Sequence, residues 1–142
     1  MSQTASSVST DQLARARRSA HRARSEALLQ LHQGQTSIEQ LIWRACEPDG
    51  KPLLSLRLHR ILDTAPGIGK ANAGRLMRRF CRVMGEDPET MRSLTIAWLI
   101  TPRSAGRRRE VWMDTVATFF QKPEPAWHGF PWAPTDRGQD DD

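Results

Sequence analysis

A chain of 142 residues with 38% hydrophobic content has room for one small domain and its tails. No apolar run approaches the ~20 residues of a membrane span, and Met1–Thr10 is Ser/Thr-rich without the apolar core of a secretory signal. Basic residues number 21 against 16 acidic, 18 of them Arg; the resulting pI near 10.2 points to a polyanionic partner.

The charge is unevenly placed. From Lys122 onward there are two basic residues against five acidic ones, which leaves 19 against 11 in the preceding body, a net charge of +8. Cys46 and Cys81 are far apart, with no paired-cysteine spacing and no nearby His pair. This argues against a disulfide framework or a zinc site and fits two reduced, partly buried thiols in a cytoplasmic protein. No cofactor and no metal are expected.

In chain order, residues 1–9 read as a disordered lead. Thr10 is a candidate N-cap for a long basic helix running to about His32 and closed by Gly34. Its first half alternates Arg15, Arg17, Arg18, Arg22 and Arg24 with Ala and Ser, and its second half offers Leu28, Leu29 and Leu31 for docking. An N-terminal arm that is basic on more than one face is expected to project from a core gripped by the C-terminal half. Thr36 and Glu39 have capping-box spacing, with Ile38, Leu41, Ile42 and Ala45 as the buried stripe of a second helix. Pro48, Asp49 and Gly50 mark a turn, and Leu54, Leu58, Ile61 and Leu62 predict a third helix from roughly Pro52 to Asp63. A fourth, from about Lys70 to Met84, turns Ala73, Leu76, Met77 and Phe80 inward and Arg75, Arg78, Arg79 and Arg82 outward. Asp87 and Pro88 open a fifth through Met91, Leu94, Ile96, Trp98 and Leu99. After a turn from Thr101 to Gly106, Arg107–Phe120 is the last helix, apolar at Val111, Trp112, Val116, Phe119 and Phe120. A Pro-rich tail from Gln121 carries Trp127, Phe130 and Trp132 and three final aspartates. No strand is predicted, so the fold class is all-α.

Thr64 to Ala73, with Pro66, Gly67, Ile68, Gly69 and Lys70 at its centre, carries the chemistry. A Pro-Gly-x-Gly-Lys turn opening a helix exposes backbone N–H groups with no side chains in the way. The positive helix end and the Lys70 ammonium add to them, and the combination suits a phosphate oxygen. The spacing is not that of a Walker loop, and Ala71 stands where that loop needs a hydroxyl. A nucleic-acid backbone therefore fits better than a nucleotide, and a plain helix–helix connection is the alternative.

In this order the long Ala/Arg helix, the helix after Thr36, the segment from Leu54 into Pro66–Lys70 and the Met77 helix resemble the actinobacterial type of integration host factor. Arg103, Ser104, Ala105 and Gly106, followed by Arg107 to Met113, resemble that family's second turn and closing helix. The likeness covers about Thr10 to Phe120 and departs from the family in three places. Some twenty residues around Cys81 to Ile100 are inserted, Ser104 and Ala105 replace Gly and Leu, and Ile100 and Thr101 stand in place of an arginine pair. The resemblance implies a helix–two-turns–helix domain over residues 36–120 and a nucleoid protein or recombination accessory factor that binds and bends double-stranded DNA.

The expected function is thus sequence-tolerant binding of duplex DNA by a non-enzymatic, cytoplasmic, nucleoid-associated monomer. A site-specific recombinase or other nucleoid proteins would be its further partners, and no membrane is involved. The expected contacts are Pro66, Gly67, Ile68, Gly69 and Lys70 at the first turn, Arg75, Arg78 and Arg79 beside it, and Arg17, Arg18, Arg22 and Arg24 on the arm. Arg103, Arg107 and Arg108 are expected at the second turn. Structured RNA and a protein partner are the rival ligands, the latter through the tail. His21 and His32 are eleven residues apart, too far to share a metal. His59 reads as a surface histidine, Asp63 as a helix-end carboxylate, and Trp98 and Trp112 as core residues.

Overall fold

The computed structural model describes the backbone of residues 2–121 and the side chains of residues 9–121. Among these residues the fold is all-α, with one isolated antiparallel bridge between Arg57 and Thr95. No helix among them is long and apolar enough to cross a membrane. The expected Pro/Trp tail from Lys122 onward lies outside the described residues.

Helix α1 spans Ser2–His32, so it begins upstream of the expected Thr10 cap and Thr10 stands inside it. Its C-terminal half grips the core through Ala27 and Leu31, with Leu28 partly buried against them. Leu29, expected to dock, is 53% exposed; two residues from both Ala27 and Leu31, it lies on the opposite face of the helix. Gly34 (φ 76°) ends the helix, with Gly34 N–H donating to the Leu31 carbonyl and Gln35 N–H to the Gln30 carbonyl. This is the paired-bond closure that a left-handed glycine permits.

Helix α2 (Ile38–Ala45) buries the four predicted positions, but its capping box is one residue later than expected. Ser37 Oγ accepts from Gln40 N–H and Gln40 Oε1 accepts from Ser37 N–H, both at 3.1 Å. The predicted third helix is two elements. A 3-10 helix, Pro48–Ser55, incorporates the Pro-Asp-Gly turn and contains Pro52, which supplies no N–H. Leu56 and Arg57 are then extended, and α3 covers Leu58–Thr64. The break follows from long-range pairing: Leu58 N–H donates to the Leu94 carbonyl (2.9 Å) and Ile96 N–H to the Leu56 carbonyl (3.0 Å). Leu53 and Leu56 are consequently the buried leucines here, with Leu54 only partly covered.

Helix α4 (Gly69–Met84) buries Ala73, Leu76, Met77 and Phe80 as predicted, and Cys81 besides. Cys81 is sealed in the core, and its thiol is pushed up by burial and by nearby Glu86; Cys46 is exposed rather than partly buried. The predicted fifth helix is also divided, because its middle supplies the other half of the bridge. A 3-10 helix, Pro88–Ser93, capped by Asp87, leads to extended Leu94, and α5 is the single turn Ile96–Leu99 capped by Thr95. A further 3-10 turn, Pro102–Ser104, precedes Ala105 and Gly106, both left-handed, and α6 (Arg107–Phe120). In α6 Trp112, Thr115 and Val116 are buried, whereas Phe120 is 51% exposed. Phe80 packs edge-on against Trp112 (5.5 Å between centroids) and Trp98 (5.9 Å), which joins α4, α5 and α6 into one core. Trp112 is thus core as expected, and Trp98 is half-buried at its edge.

Gly50 is the most tightly enclosed of the described glycines. It is buried beneath the end of α2, and a β-carbon there would overlap the Arg44 carbonyl. Gly50→Ala is expected to destabilise the protein by about 2 kcal/mol or more, measured by urea unfolding, because backbone rather than a flexible side chain must move.

Candidate nucleic-acid interface

The chain between α3 and α4 is anchored by two buried side chains, Ala65 and Ile68, and exposes Pro66, Gly67, Gly69 and Lys70. Gly67 (φ 88°) and Gly69 (φ 78°) take left-handed conformations that cost a residue with a side chain about 1 kcal/mol or more. Because Ile68 is buried, only its backbone is available to a ligand. It occupies the N-cap of α4 without a side-chain cap bond. Asn72 Nδ2 donates to the Ile68 carbonyl (2.9 Å), and Asn72 Oδ1 accepts from Arg75 Nη1 (3.3 Å), bracing the turn from inside the helix. The first N–H groups of α4 have no side-chain cap and start at exposed Gly69 and Lys70, an arrangement that favours an oxyanion.

One cavity adjoins this turn and a second continues from it. One, about 520 Å³, is lined by Lys70, Arg75 and Arg78 from α4 together with His59, Asp63 and Arg92. The other, about 470 Å³, shares His59, Asp63 and Arg92 and continues past Arg57 and Arg60 to His21 and Arg24 of α1. Together they make one basic groove from the start of α4, across α3, to the long helix. Asp63 is the one carboxylate among the lining residues. Arg78 lies over Gly74, where a β-carbon would stand 3.3 Å from its Nη1, so the absence of a side chain leaves space for this arginine.

Of the expected contacts, the groove brings together Lys70, Arg75, Arg78 and Arg24. Arg24 is partly buried, its Nη1 donating to the Pro52 carbonyl (3.3 Å). Arg17, Arg18, Arg22 and Arg79 are exposed and lie outside the groove lining. The second turn is remote. A β-carbon on Gly67 would sit 3.8 Å from Phe120 Cε1, and Phe80 meets Trp112, so α6 runs antiparallel to α4. Arg103 and Arg107, both exposed, are accordingly at the far end of α4, about 24 Å along its axis. Arg108 is engaged in packing: its guanidinium lies 4.2 Å from the Trp98 ring centroid and donates to the Trp98 carbonyl at 2.8 Å. Arg109 stacks on exposed Trp43 at 4.9 Å.

Arg57, His59, Arg60, Asp63 and Arg92 were not expected in the site. His59 and Asp63, four apart in the sequence, carried a usable signal, since that spacing puts both on one face of α3. Arg92 carried none, because its position depends on the bridge that pulls the segment after α4 against α3. Among the described residues no group of three or more His, Cys, Asp and Glu is placed to hold a metal ion. No protein-family model, curated protein or solved structure significantly matches this chain, so the integration host factor likeness remains one of motif order.

Burial, and secondarily the Arg92 guanidinium, push the His59 imidazole below its ordinary value, with Asp63 opposing them. Asp63 Oδ1 is itself buried with no hydrogen-bond partner. A histidine with a lowered folded-state pKa takes up its proton first in the unfolded chain. Its contribution to stability is therefore present above the ordinary value of about 6.5 and is lost as pH falls from there through the lower folded-state value. In urea unfolding from about pH 7.5 to about pH 5, His59→Gln is expected to lose less stability than the parent protein.

Proposed function

We propose that this protein binds the phosphate backbone of double-stranded DNA with little sequence preference, as a nucleoid-associated or recombination accessory protein rather than an enzyme. The observation that carries this reading is the continuous basic groove from Lys70 at the start of α4 to Arg24 on α1, centred on Arg92. Its width of chemistry suits a linear polyanion: guanidinium groups from four elements, an ammonium and free helix-end N–H groups follow one another along a path. Among the groove arginines, Arg24 and Arg75 donate to neutral oxygens, those of Pro52 and Asn72. Their charge remains available to phosphates.

Contacts of this kind fix a protein on a duplex without reading bases. The exposed arginines of α1 extend the charged path along DNA beyond the groove. Arg103 and Arg107 form a separate basic surface at the other end of α4, which supports a role in bending or bridging DNA in the manner the family resemblance implies. A single copy suffices for the groove, and a recombinase or another nucleoid protein would act beside it on the same DNA.

The test is binding to a short random-sequence duplex across a salt series, with an RNA hairpin as competitor. Affinity is expected to fall steeply, with a log–log slope of about −0.9 for each phosphate neutralised. Lys70→Glu and Arg92→Glu should each weaken binding about tenfold at low salt and reduce the slope by about 1. Preference for the hairpin would replace DNA by structured RNA, and absence of binding at low salt would overturn the reading. Asp63→Asn, which removes the groove's carboxylate, is expected to tighten binding about threefold in the same titration.

A further inference from the structure

On the side of the phosphate turn away from the basic groove lies an apolar one of about 420 Å³. Ile38, Pro66, Met113, Val116 and Phe120 form its walls, and Ser37 and Glu39 mark its polar rim. That volume lies within the range of ligand and peptide pockets, and exposed Phe120 at its mouth is the kind of apolar surface that solvent does not favour. We propose that it is the docking site of the chain's own segment Trp127–Trp132.

Four observations converge on this occupant. The last helix ends at the groove: Phe120 lines it and the chain continues from Gln121. The five residues from Lys122 to Ala126 span at most about 20 Å, so the segment stays near the groove at an effective concentration of the order of millimolar. Its composition is complementary: Trp127, Phe130, Pro131 and Trp132 bring large apolar groups, and no carboxylate between Ala126 and Trp132 opposes Glu39. Finally, Pro123, Pro125, Pro131 and Pro134 favour an extended chain, which enters an apolar groove with little further loss of conformational freedom. The docked segment would back the turn from behind, because Phe120 forms a wall of the groove and also stands against Gly67. The proposal is independent of the nucleic-acid reading and is tested without DNA.

The experiment is amide hydrogen exchange on the full chain and on its Ala117→Arg variant, which places a charged side chain in the groove from an exposed, helix-compatible position. The amides of Trp127–Trp132 are expected to exchange at least about tenfold more slowly than in an unstructured chain, and the variant should abolish that protection while the core amides stay protected. Exchange at the unstructured rate in the parent protein overturns the proposal, as does protection that survives Ala117→Arg. Protection that grows with protein concentration overturns it as well, by making a second copy the occupant. Should the groove variant fold poorly, the full chain with Trp127→Ala and Trp132→Ala leaves the groove intact. Its Met113 methyl resonance must then shift from the parent position, and an unmoved resonance overturns the docking.

Discussion

The pairing of Leu56–Leu58 with Leu94–Ile96 holds the segment that follows α4 against the entry to α3, and the placement of charge in this protein depends on it. Two backbone hydrogen bonds, at 2.9 and 3.0 Å, make the contact. Bonds of this kind contribute only about 1 kcal/mol each, yet they join positions some forty residues apart in sequence and fix the direction of both strands of chain. With Leu56 and Leu94 buried on either side, the pairing is shielded from water and the register is set. The 3-10 helix Pro88–Ser93 must then lie over α3, and Arg92 arrives next to His59 and Asp63. The segment from Pro88 to Ile96 thus completes the groove.

Helix α4 transmits that arrangement to the rest of the fold. Phe80, fully buried, meets Trp98 and Trp112 edge-on, while Met77 and Leu76 seal the helix against its neighbours. The antiparallel course of α6 brings Phe120 to the glycine turn between α3 and α4 and carries Arg107–Arg109 away from it. One consequence is a division of labour among arginines that look alike in the sequence. Arg75 and Arg78 face the groove, whereas Arg108 covers Trp98 and Arg109 covers Trp43. A guanidinium stacked on an indole with its hydrogen bond satisfied by a carbonyl has less freedom to reach a ligand than one bordered by solvent.

The legible parts of the sequence were those whose structure is decided locally. The stripe Ile38, Leu41, Ile42, Ala45 and the stripe Ala73, Leu76, Met77, Phe80 have helical period and are buried as that period requires. Gly34 ends its helix because a left-handed residue lets two carbonyls be satisfied, and the glycines at 67 and 69 allow the turn that the motif suggested. The illegible parts were decided at a distance. Nothing near Leu56 or Leu94 says that each must leave helical conformation to bond the other. A helix through Pro52–Asp63 and another through residues 86–100 therefore satisfied every local rule. The candidate site was legible in the same proportion: Lys70, Arg75 and Arg78 come from one helix, whereas Arg24, Arg60 and Arg92 join them through tertiary contacts. Ser37 rather than Thr36 caps α2 for a smaller reason, since the cap is chosen by where Gln40 can fold back onto a backbone N–H.

Asp63 is the residue that gives the groove its character. A carboxylate among so many cations lowers their mutual repulsion in the free protein, yet its buried Oδ1 has no hydrogen-bond partner. An unsatisfied buried oxygen is costly, and it stands where Arg92 and His59 converge. The cations of the groove are spread from Lys70 at the start of α4 through Arg92 to Arg24 on α1, so no one of them dominates its charge. Such a distribution favours a binder held by many modest phosphate contacts and released by salt, and it disfavours one anchored at a single deep site.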